Sequence, residues 1–211
     1  MTETVLSHAD GDPGAYETLV LGIGNVLWAD EGFGIRAVEA LHARYTFPED
    51  VRVMDGGTQG IFLLPWVCSA KRLLILDAVD FGMEPATLRM VQGEDVPRFM
   101  GAKKVSMHQA GFQEVLSSAT LSGSLPGELV LVGVQPELLD DYGGSLTAGV
   151  KARIGETVEL ACDVLRGWGV DARERDKPLE GTERIGPGAL DIRDYGEGRP
   201  RPAGEARWVM S

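Results

Sequence analysis

Near its start the chain reads Leu19-Val20-Leu21-Gly22-Ile23-Gly24-Asn25-Val26-Leu27-Trp28-Ala29-Asp30-Glu31-Gly32-Phe33-Gly34. A compact apolar run is followed by a glycine-rich turn and then by an amphipathic segment over residues 35–45. This order predicts a strand, a turn and a helix. In an open α/β sheet such a turn lies at the carboxyl edge of its strand, which is where ligands usually bind.

The turn does not contain a dinucleotide-binding fingerprint. The pattern Gly-x-Gly-x-x-Gly starting at Gly22 would need glycine at position 27, and the chain has Leu27 there. The turn carries the acidic pair Asp30 and Glu31 in place of a phosphate cradle. Because carboxylates repel phosphate and attract cations, this loop is typical of a site for a metal ion or a proton.

The bulk composition predicts one globular domain in the cytoplasm. A chain of 211 residues is long enough for one well-buried core. No apolar run approaches the roughly 20 residues that span a bilayer, and the polar first residues do not resemble a secretory signal. The formal net charge of -12 argues against nonspecific binding to nucleic acid or to an anionic membrane. The two distant cysteines, Cys68 and Cys162, are expected to be buried free thiols.

Short, branched apolar runs predict five strands, over 19–23, 51–54, 73–76, 88–91 and 129–134. Helical spacing predicts helices over 33–45, 59–67, 109–118 and 147–168. The alternation predicts an α/β three-layer sandwich, with a mostly parallel or mixed five-stranded sheet and helices on both faces. The linker between 73–76 and 88–91 is too short for a crossover helix, so these two runs are expected to form an antiparallel or mixed element.

Composition also predicts where the domain begins and ends. We expect a flexible N-terminal extension at 1–16, a single α/β domain at 17–170 and a disordered C-terminal tail at 171–211. The tail is dense in charge, glycine and proline, and it includes Arg199-Pro200-Arg201-Pro202. A segment of this composition cannot bury enough apolar surface to fold by itself.

Four residues are candidates for metal binding or catalysis because of their positions in the predicted fold. Glu31 lies in the first turn, Asp55 and Asp77 end the second and third strands, and His108 lies where a helix begins. If the strands are parallel, their ends share one edge, so the three carboxylates gather there with His108 close by. Each carboxylate also has a structural alternative as a cap of a turn or helix. Together the four form an oxygen- and nitrogen-rich site suited to a divalent ion such as nickel or zinc.

Two common hydrolytic arrangements are absent from the sequence. The chain has only three histidines and no His-Glu-x-x-His, which excludes the helical zinc-protease motif. It also lacks Gly-x-Ser-x-Gly, which excludes the usual α/β-hydrolase serine.

Five motifs together resemble the nickel-iron hydrogenase maturation endopeptidases. They occur in the family's order, between about residues 17 and 166, and they are residues 22–34, Asp55-Gly56-Gly57-Thr58, Leu76-Asp77-Ala78-Val79-Asp80, His108-Gln109 and Leu131-Val132-Gly133-Val134-Gln135-Pro136-Glu137. The Trp28-Ala29-Asp30-Glu31 match and the long tail resemble the uptake-hydrogenase branch.

The resemblance implies one reaction on one protein. Family members remove a short C-terminal extension from the large-subunit precursor of a NiFe hydrogenase after nickel has been inserted. Metal binding is carried over to Glu31, Asp77 and His108, with the nickel supplied by the precursor and no organic cofactor. We expect a monomer, because the substrate itself must cover the acidic edge.

Two mechanisms remain open at this point. In the first, nickel bound by Glu31, Asp77 and His108 polarises a water molecule or the scissile carbonyl. In the second, these residues only recognise a loaded precursor, and a carboxylate such as Asp55 acts as general base on water. The first is preferred for binding, and the base is left unassigned.

Two other functions are weighed against proteolysis. A nickel metallochaperone or nickel-sensing accessory protein can share this fold and acidic edge, but chaperones often carry exposed histidine or cysteine clusters, which this chain lacks. A small-molecule hydrolase or phosphorylase would need phosphate-binding donors at the sheet edge, and the loops here are acidic.

Overall fold

The structure is a computed structural model that describes residues 16–102, 107–180 and 185, without the side chains of 101–110. Its strands are β1 (Thr18–Ile23), β2 (Tyr45–Thr46), β3 (Val51–Gly57), β4 (Arg72–Ala78), β5 (Leu88–Gln92), β6 (Glu128–Val134) and β7 (Arg173–Glu174). Its helices are α1 (Phe33–Arg44), α2 (Leu64–Ser69), α3 (Asp95–Ala102), α4 (Met107–Leu121), α5 (Ala148–Lys151) and α6 (Ile154–Gly167), with 3-10 turns at Ala29–Gly32 and Gly60–Leu63.

The main sheet has five strands in the order β3-β1-β4-β6-β5. The first four are parallel, and β5 runs antiparallel to β6. Parallel strands covered on both faces are expected to be nearly all apolar, and the central strands β1 and β4 are almost completely buried. The predicted α/β class and mixed five-stranded sheet are confirmed.

Helices cover both faces of the sheet and produce two cores. Alternate strand residues point to opposite faces, so Leu19 and Leu21 join one core while Val20 joins the other. The first core packs against α2 and α4, with Trp66 and Phe112 among its largest fully buried side chains. The second packs against α1 and α6. The site described below lies at the carboxyl ends of the parallel strands, between the two helical layers.

The pairing of β5 differs from the expectation. It was expected to form an antiparallel or mixed element with the preceding run, β4, but it pairs with β6. The reason is that β4 lies between β1 and β6 and has no edge left to pair. The linker over 79–87 therefore carries the chain across β6 to the edge of the sheet.

The helices also differ from the sequence pattern in detail. The predicted helix over 147–168 is divided into α5 and α6, although Val150 and Val158 on either side of the break lie in the same core. Gly149 and Gly155 lower helix propensity on both sides of the break. Helix α2 starts at Leu64, which puts Pro65 in its first turn, where proline is tolerated. Helix α3 and the short β2–β7 pair were not predicted.

The described chain continues past residue 170, where the domain was expected to end. Strand β7 pairs with β2, and the amides of Arg175 and Leu179 donate to the carbonyls of Arg44 and Ala43. Residues 181–184 and 186–211 of the predicted tail and 1–15 of the predicted N-terminal extension lie outside the described residues. Across 16–102 and 107–180, no helix is both long and apolar enough to cross a membrane.

Candidate functional site

Asp55 and Asp77 lie at the same end of the sheet, where the parallel strands have their carboxyl ends. We call this end the carboxyl edge. Gly22 of β1 stands opposite Asp55 of β3 on one side, and opposite Leu76, the residue before Asp77, on the other. Since neighbouring strands are about 4.8 Å apart, the backbones of the two aspartates are separated by about 10 Å, with β1 between them. The turn that carries Glu31 follows directly from β1, so all three carboxylates belong to this carboxyl edge.

Glycines allow the turn to pack directly on the strand ends. A Cβ on Gly24, whose φ is +147°, would lie 2.0 Å from the carbonyl oxygen of Glu31. A Cβ on Gly34 would lie 2.1 Å from the carbonyl oxygen of Leu76 and 2.3 Å from that of Ile23. No side chain larger than hydrogen fits at either position. This close packing holds Glu31 and its turn beside the strand end that bears Asp77.

The acidic pair of the turn is divided between two roles. Asp30 is completely buried, and its carboxylate accepts hydrogen bonds from the amides of Glu137, Leu138 and Thr147 at 2.7–2.9 Å and from the Thr147 hydroxyl at 3.2 Å. These bonds tie the turn after β1 to the loop after β6. Glu31 is half-buried. Asp30 is therefore a structural residue, and Glu31 is the member of the pair left as a candidate ligand.

The two strand-end aspartates differ in exposure. Asp55 is half-buried, and its Oδ1 accepts a hydrogen bond of 2.9 Å from the amide of Gly57, which has a positive φ of 46°. Asp77 is completely buried, and its Oδ1 accepts a 2.7 Å bond from the amide of Ala78. Both carboxylates thus make the local turn contact that the structural alternative expects. Asp77 is also removed from water, which strengthens its interaction with any cation that reaches it.

His108 lies in the first turn of α4. Helix α4 packs on the 3-10 turn that follows β3, and a Cβ on Gly111 would lie 3.3 Å from the Cα of Gly60. The beginning of α4 is thereby placed beside the loop that follows β3, the strand whose last residues include Asp55. The side chain of His108 is among those outside the description. In the part of the chain whose side chains are described, no group of three or more His, Cys, Asp or Glu is arranged to hold a metal.

Gln135 anchors the loop that follows Asp77, a role that the sequence did not suggest. Its Oε1 accepts hydrogen bonds from the amides of Phe81 and Met83 at 2.8 and 3.1 Å, and its Nε2 donates to Asp80 at 3.1 Å. The only signal in the sequence is a glutamine at the end of a long apolar strand. A buried polar side chain at such a position requires hydrogen-bond partners, which here are the amides of the neighbouring loop.

The fold and this edge define a class of protein: a three-layer α/β domain with carboxylates at the carboxyl ends of its parallel strands. Within that class, the sequence model described as "Hydrogenase maturation protease" matches residues 35–164. The chain belongs to the hydrogenase maturation protease family, and the family expected from the five motifs is confirmed. It is a hydrolase, an endopeptidase of hydrogenase maturation.

Relatives and solved structures agree with this assignment. The chain is 52% identical over 182 residues to the hydrogenase expression/formation protein HupD of Bradyrhizobium diazoefficiens, covering 86% of this chain and 94% of that protein. It is 53% identical over 182 residues to HoxM of Azotobacter vinelandii, with 86% of each chain covered. The fold matches the hydrogenase maturating endopeptidase HybD from E. coli with a TM-score of 0.72 at 41% identity, over 75% of this chain and 98% of that one.

Proposed function

We propose that this endopeptidase removes a short C-terminal extension from the nickel-loaded large-subunit precursor of an uptake-type NiFe hydrogenase. Membership of the hydrogenase maturation protease family supports the reaction. It does not favour the alternative, a metallochaperone or nickel-sensing accessory protein without proteolysis. The observation that carries the proposal is the packing of the Glu31 turn against the strand end of Asp77, which brings two carboxylates of different elements to one edge.

In this proposal Glu31, Asp77 and His108 contact the nickel of the precursor. Carboxylate oxygens and an imidazole nitrogen are suitable donors for this borderline ion. Three protein ligands leave coordination positions that the precursor's own ligands keep. The nickel is thus part of the substrate and not a resident cofactor, and no organic cofactor is needed.

The role of Asp55 separates the two mechanisms. If the nickel polarises the scissile carbonyl or a water molecule, Asp55 only shapes the loop after β3 through its bond to Gly57. If Asp55 is the general base, one of its carboxylate oxygens takes a proton from the attacking water while the turn bond fixes the other. The half-buried position of Asp55 leaves it accessible to water. We propose it as the base to be tested first.

The first experiment compares nickel-loaded with nickel-free precursor. We expect the purified protein to release a short C-terminal peptide from the loaded precursor alone, because only that form carries the ion that Glu31, Asp77 and His108 contact. Mass spectrometry of the precursor before and after incubation measures the loss. Absence of cleavage in both forms would refute the proteolytic function, and equal cleavage of both would refute recognition of nickel.

Two matched substitutions distinguish binding of the precursor from cleavage of its peptide bond. Asp55→Asn is expected to lower the rate of cleavage by about 100-fold or more, the usual contribution of a general base, while nickel-dependent binding of the precursor is retained. Glu31→Gln is expected to weaken that binding by about tenfold or more, since a metal contact is lost. Asp50→Asn is the control, because Asp50 is an exposed carboxylate at the opposite end of β3. Normal cleavage by Asp55→Asn would remove Asp55 as the base.

Compartment and assembly state are part of the same proposal. We place the enzyme in the cytoplasm as a monomer. Cys162 is buried and Cys68 is half-buried, and both are free thiols, which suits a reducing compartment. Burial raises the pKa of the Cys162 thiol, so this residue is unsuited to act as a nucleophile at neutral pH. A monomer leaves the acidic edge accessible to the precursor.

A further inference from the structure

Three large apolar side chains are exposed beside the proposed site. Tyr142 is 66% exposed, Leu138 42% and Trp28 37%. They belong to two loops that meet at the carboxyl edge, since Leu138 exchanges backbone and side-chain hydrogen bonds with Asp30, two residues after Trp28. We call these three residues the aromatic ridge. Clustered apolar groups on the surface of a protein mark interaction sites more often than isolated ones do.

The aromatic ridge is held in a fixed arrangement. The rings of Trp28 and Tyr142 meet edge to face with centroids 5.3 Å apart, and their backbones form an isolated β-bridge. The amide of Gly143 donates a 2.7 Å bond to the carbonyl of Leu27, and the amide of Leu27 donates to the Asn25 side chain. A surface that is already ordered loses little conformational entropy when a partner binds. Rigid Trp and Tyr side chains are also the commonest centres of binding energy.

The aromatic ridge and Glu31 belong to the same turn. The carbonyl of Trp28 accepts a 2.9 Å bond from the amide of Glu31. Between them lies Ala29, which is buried and has a positive φ of 36°, an uncommon conformation for a residue other than glycine. Backbone strain of this kind persists only where surrounding contacts fix it, and it is concentrated at functional sites. A polypeptide bound to Trp28 is therefore within one turn of Glu31.

The charged residues around the aromatic ridge indicate which kind of polypeptide segment would bind there. Glu137 and Asp140 are exposed and Asp141 is half-buried, all within the loop that carries Leu138 and Tyr142. Negative charges at the rim of an apolar patch favour a partner with positive charges at the matching positions. The complementary segment has an apolar side chain flanked by Lys or Arg.

We propose that the aromatic ridge is the docking surface for the precursor polypeptide next to its cleaved bond, and that it binds an apolar residue flanked by basic ones. This inference rests on the proposed function, because it assigns a second contact surface to the same substrate. The aromatic ridge supplies affinity for the precursor polypeptide, whereas Glu31, Asp77 and His108 contact the precursor's nickel. The two requirements are separable by mutation.

Tyr142→Ser tests the docking surface. We expect the KM for cleavage of nickel-loaded precursor to rise by about tenfold, the usual effect of truncating an anchor residue, with kcat within about twofold of the unchanged enzyme. Tyr142→Phe keeps the ring contact with Trp28 and is expected to raise the KM less than Tyr142→Ser does. Leu121→Ser is the matched control, because Leu121 is 89% exposed at the far end of α4. Thermal unfolding of each variant checks that the fold is kept.

The outcomes distinguish this inference from the proposed function. If the unchanged enzyme cleaves the precursor and Tyr142→Ser has an unaltered KM, the docking surface is refuted while the proteolytic function stands. If Phe62→Ser raises KM and Tyr142→Ser does not, the precursor docks on the other layer, where Phe62 is 73% exposed. If the unchanged enzyme does not cleave at all, the proposed function has failed first, and the inference fails with it.

The charge component has its own measurement. Asp140→Asn is expected to raise KM by about two- to threefold at low salt and to weaken its dependence on ionic strength, since one attractive charge at the rim is removed. An unchanged salt dependence would contradict a basic partner segment.

Discussion

Gly34→Ala is expected to destabilise the protein by about 3 kcal/mol or more and to abolish cleavage of the precursor. The added methyl would lie 2.1 and 2.3 Å from two backbone carbonyl oxygens, those of Leu76 and Ile23. Neither atom can turn aside as a side chain can, so the beginning of α1 must move away from β1 and β4. Overpacking of this kind in a core costs about 1–3 kcal/mol and occasionally more. The same movement displaces Glu31 from the strand end of Asp77.

Gly155→Ala is the control for Gly34→Ala, because it makes the same substitution at the equivalent position of another helix. Gly34 and Gly155 are each the second residue of a helix, α1 and α6. A Cβ on Gly155 would meet no heavy atom within 4 Å. Alanine favours the helix by up to about 1 kcal/mol over glycine, so Gly155→Ala is expected to stabilise the protein. Urea unfolding followed by circular dichroism gives both free energies. If Gly34→Ala is also stabilising, α1 does not pack on the strand ends as closely as described.

Asp30→Asn is expected to lower the free energy of unfolding by about 3 kcal/mol. The carboxylate accepts four hydrogen bonds in a site closed to water, and every partner is a donor. The amide group of asparagine would place its own N–H groups against some of these donors and would remove the negative charge. Hydrogen bonds to charged groups contribute about 1.5–3 kcal/mol each, and a buried donor left without an acceptor adds a cost.

The expected loss is specific to that position. Asp163→Asn, which removes an exposed carboxylate paired with Arg166 on α6, is expected to change stability by less than about 0.5 kcal/mol. Asp30→Asn is also expected to raise the KM for the precursor, because the loop of Leu138 and Tyr142 is fixed through Asp30. Urea unfolding and cleavage assays on the two variants measure these effects. Equal stability of the two variants would contradict the structural role of Asp30.

Much of the fold could be read from local patterns. All five strands of the main sheet coincide with predicted apolar runs. The signal is strongest for β1, β4 and β6, because a strand buried on both faces is apolar along nearly its whole length. The pairing of β5 with β6 could not be predicted in the same way. It depends on which strand still has a free edge after β4 has paired twice, and that is a property of the assembled sheet. The two-residue strands β2 and β7 are too short to leave a pattern.

Some features of the candidate site could likewise be predicted from the sequence, and others could not. The positions of Glu31, Asp55 and Asp77 at the carboxyl ends of their strands follow from sequence order together with the parallel arrangement. The division of labour between Asp30 and Glu31 does not, because the two are adjacent carboxylates of nearly identical chemistry. The hydrogen bonds from Glu137, Leu138 and Thr147, more than a hundred residues away, give Asp30 its structural role.

The sequence by itself determined the α/β class, the family and the set of candidate residues, because periodicity and short motifs are local properties of a chain. The tertiary structure decided which carboxylate is structural and how closely the turn of Glu31 packs on the strand of Asp77. It also placed Trp28 and Tyr142 together as one exposed surface. These features depend on contacts between residues distant along the chain, and such contacts exist only after the chain has folded.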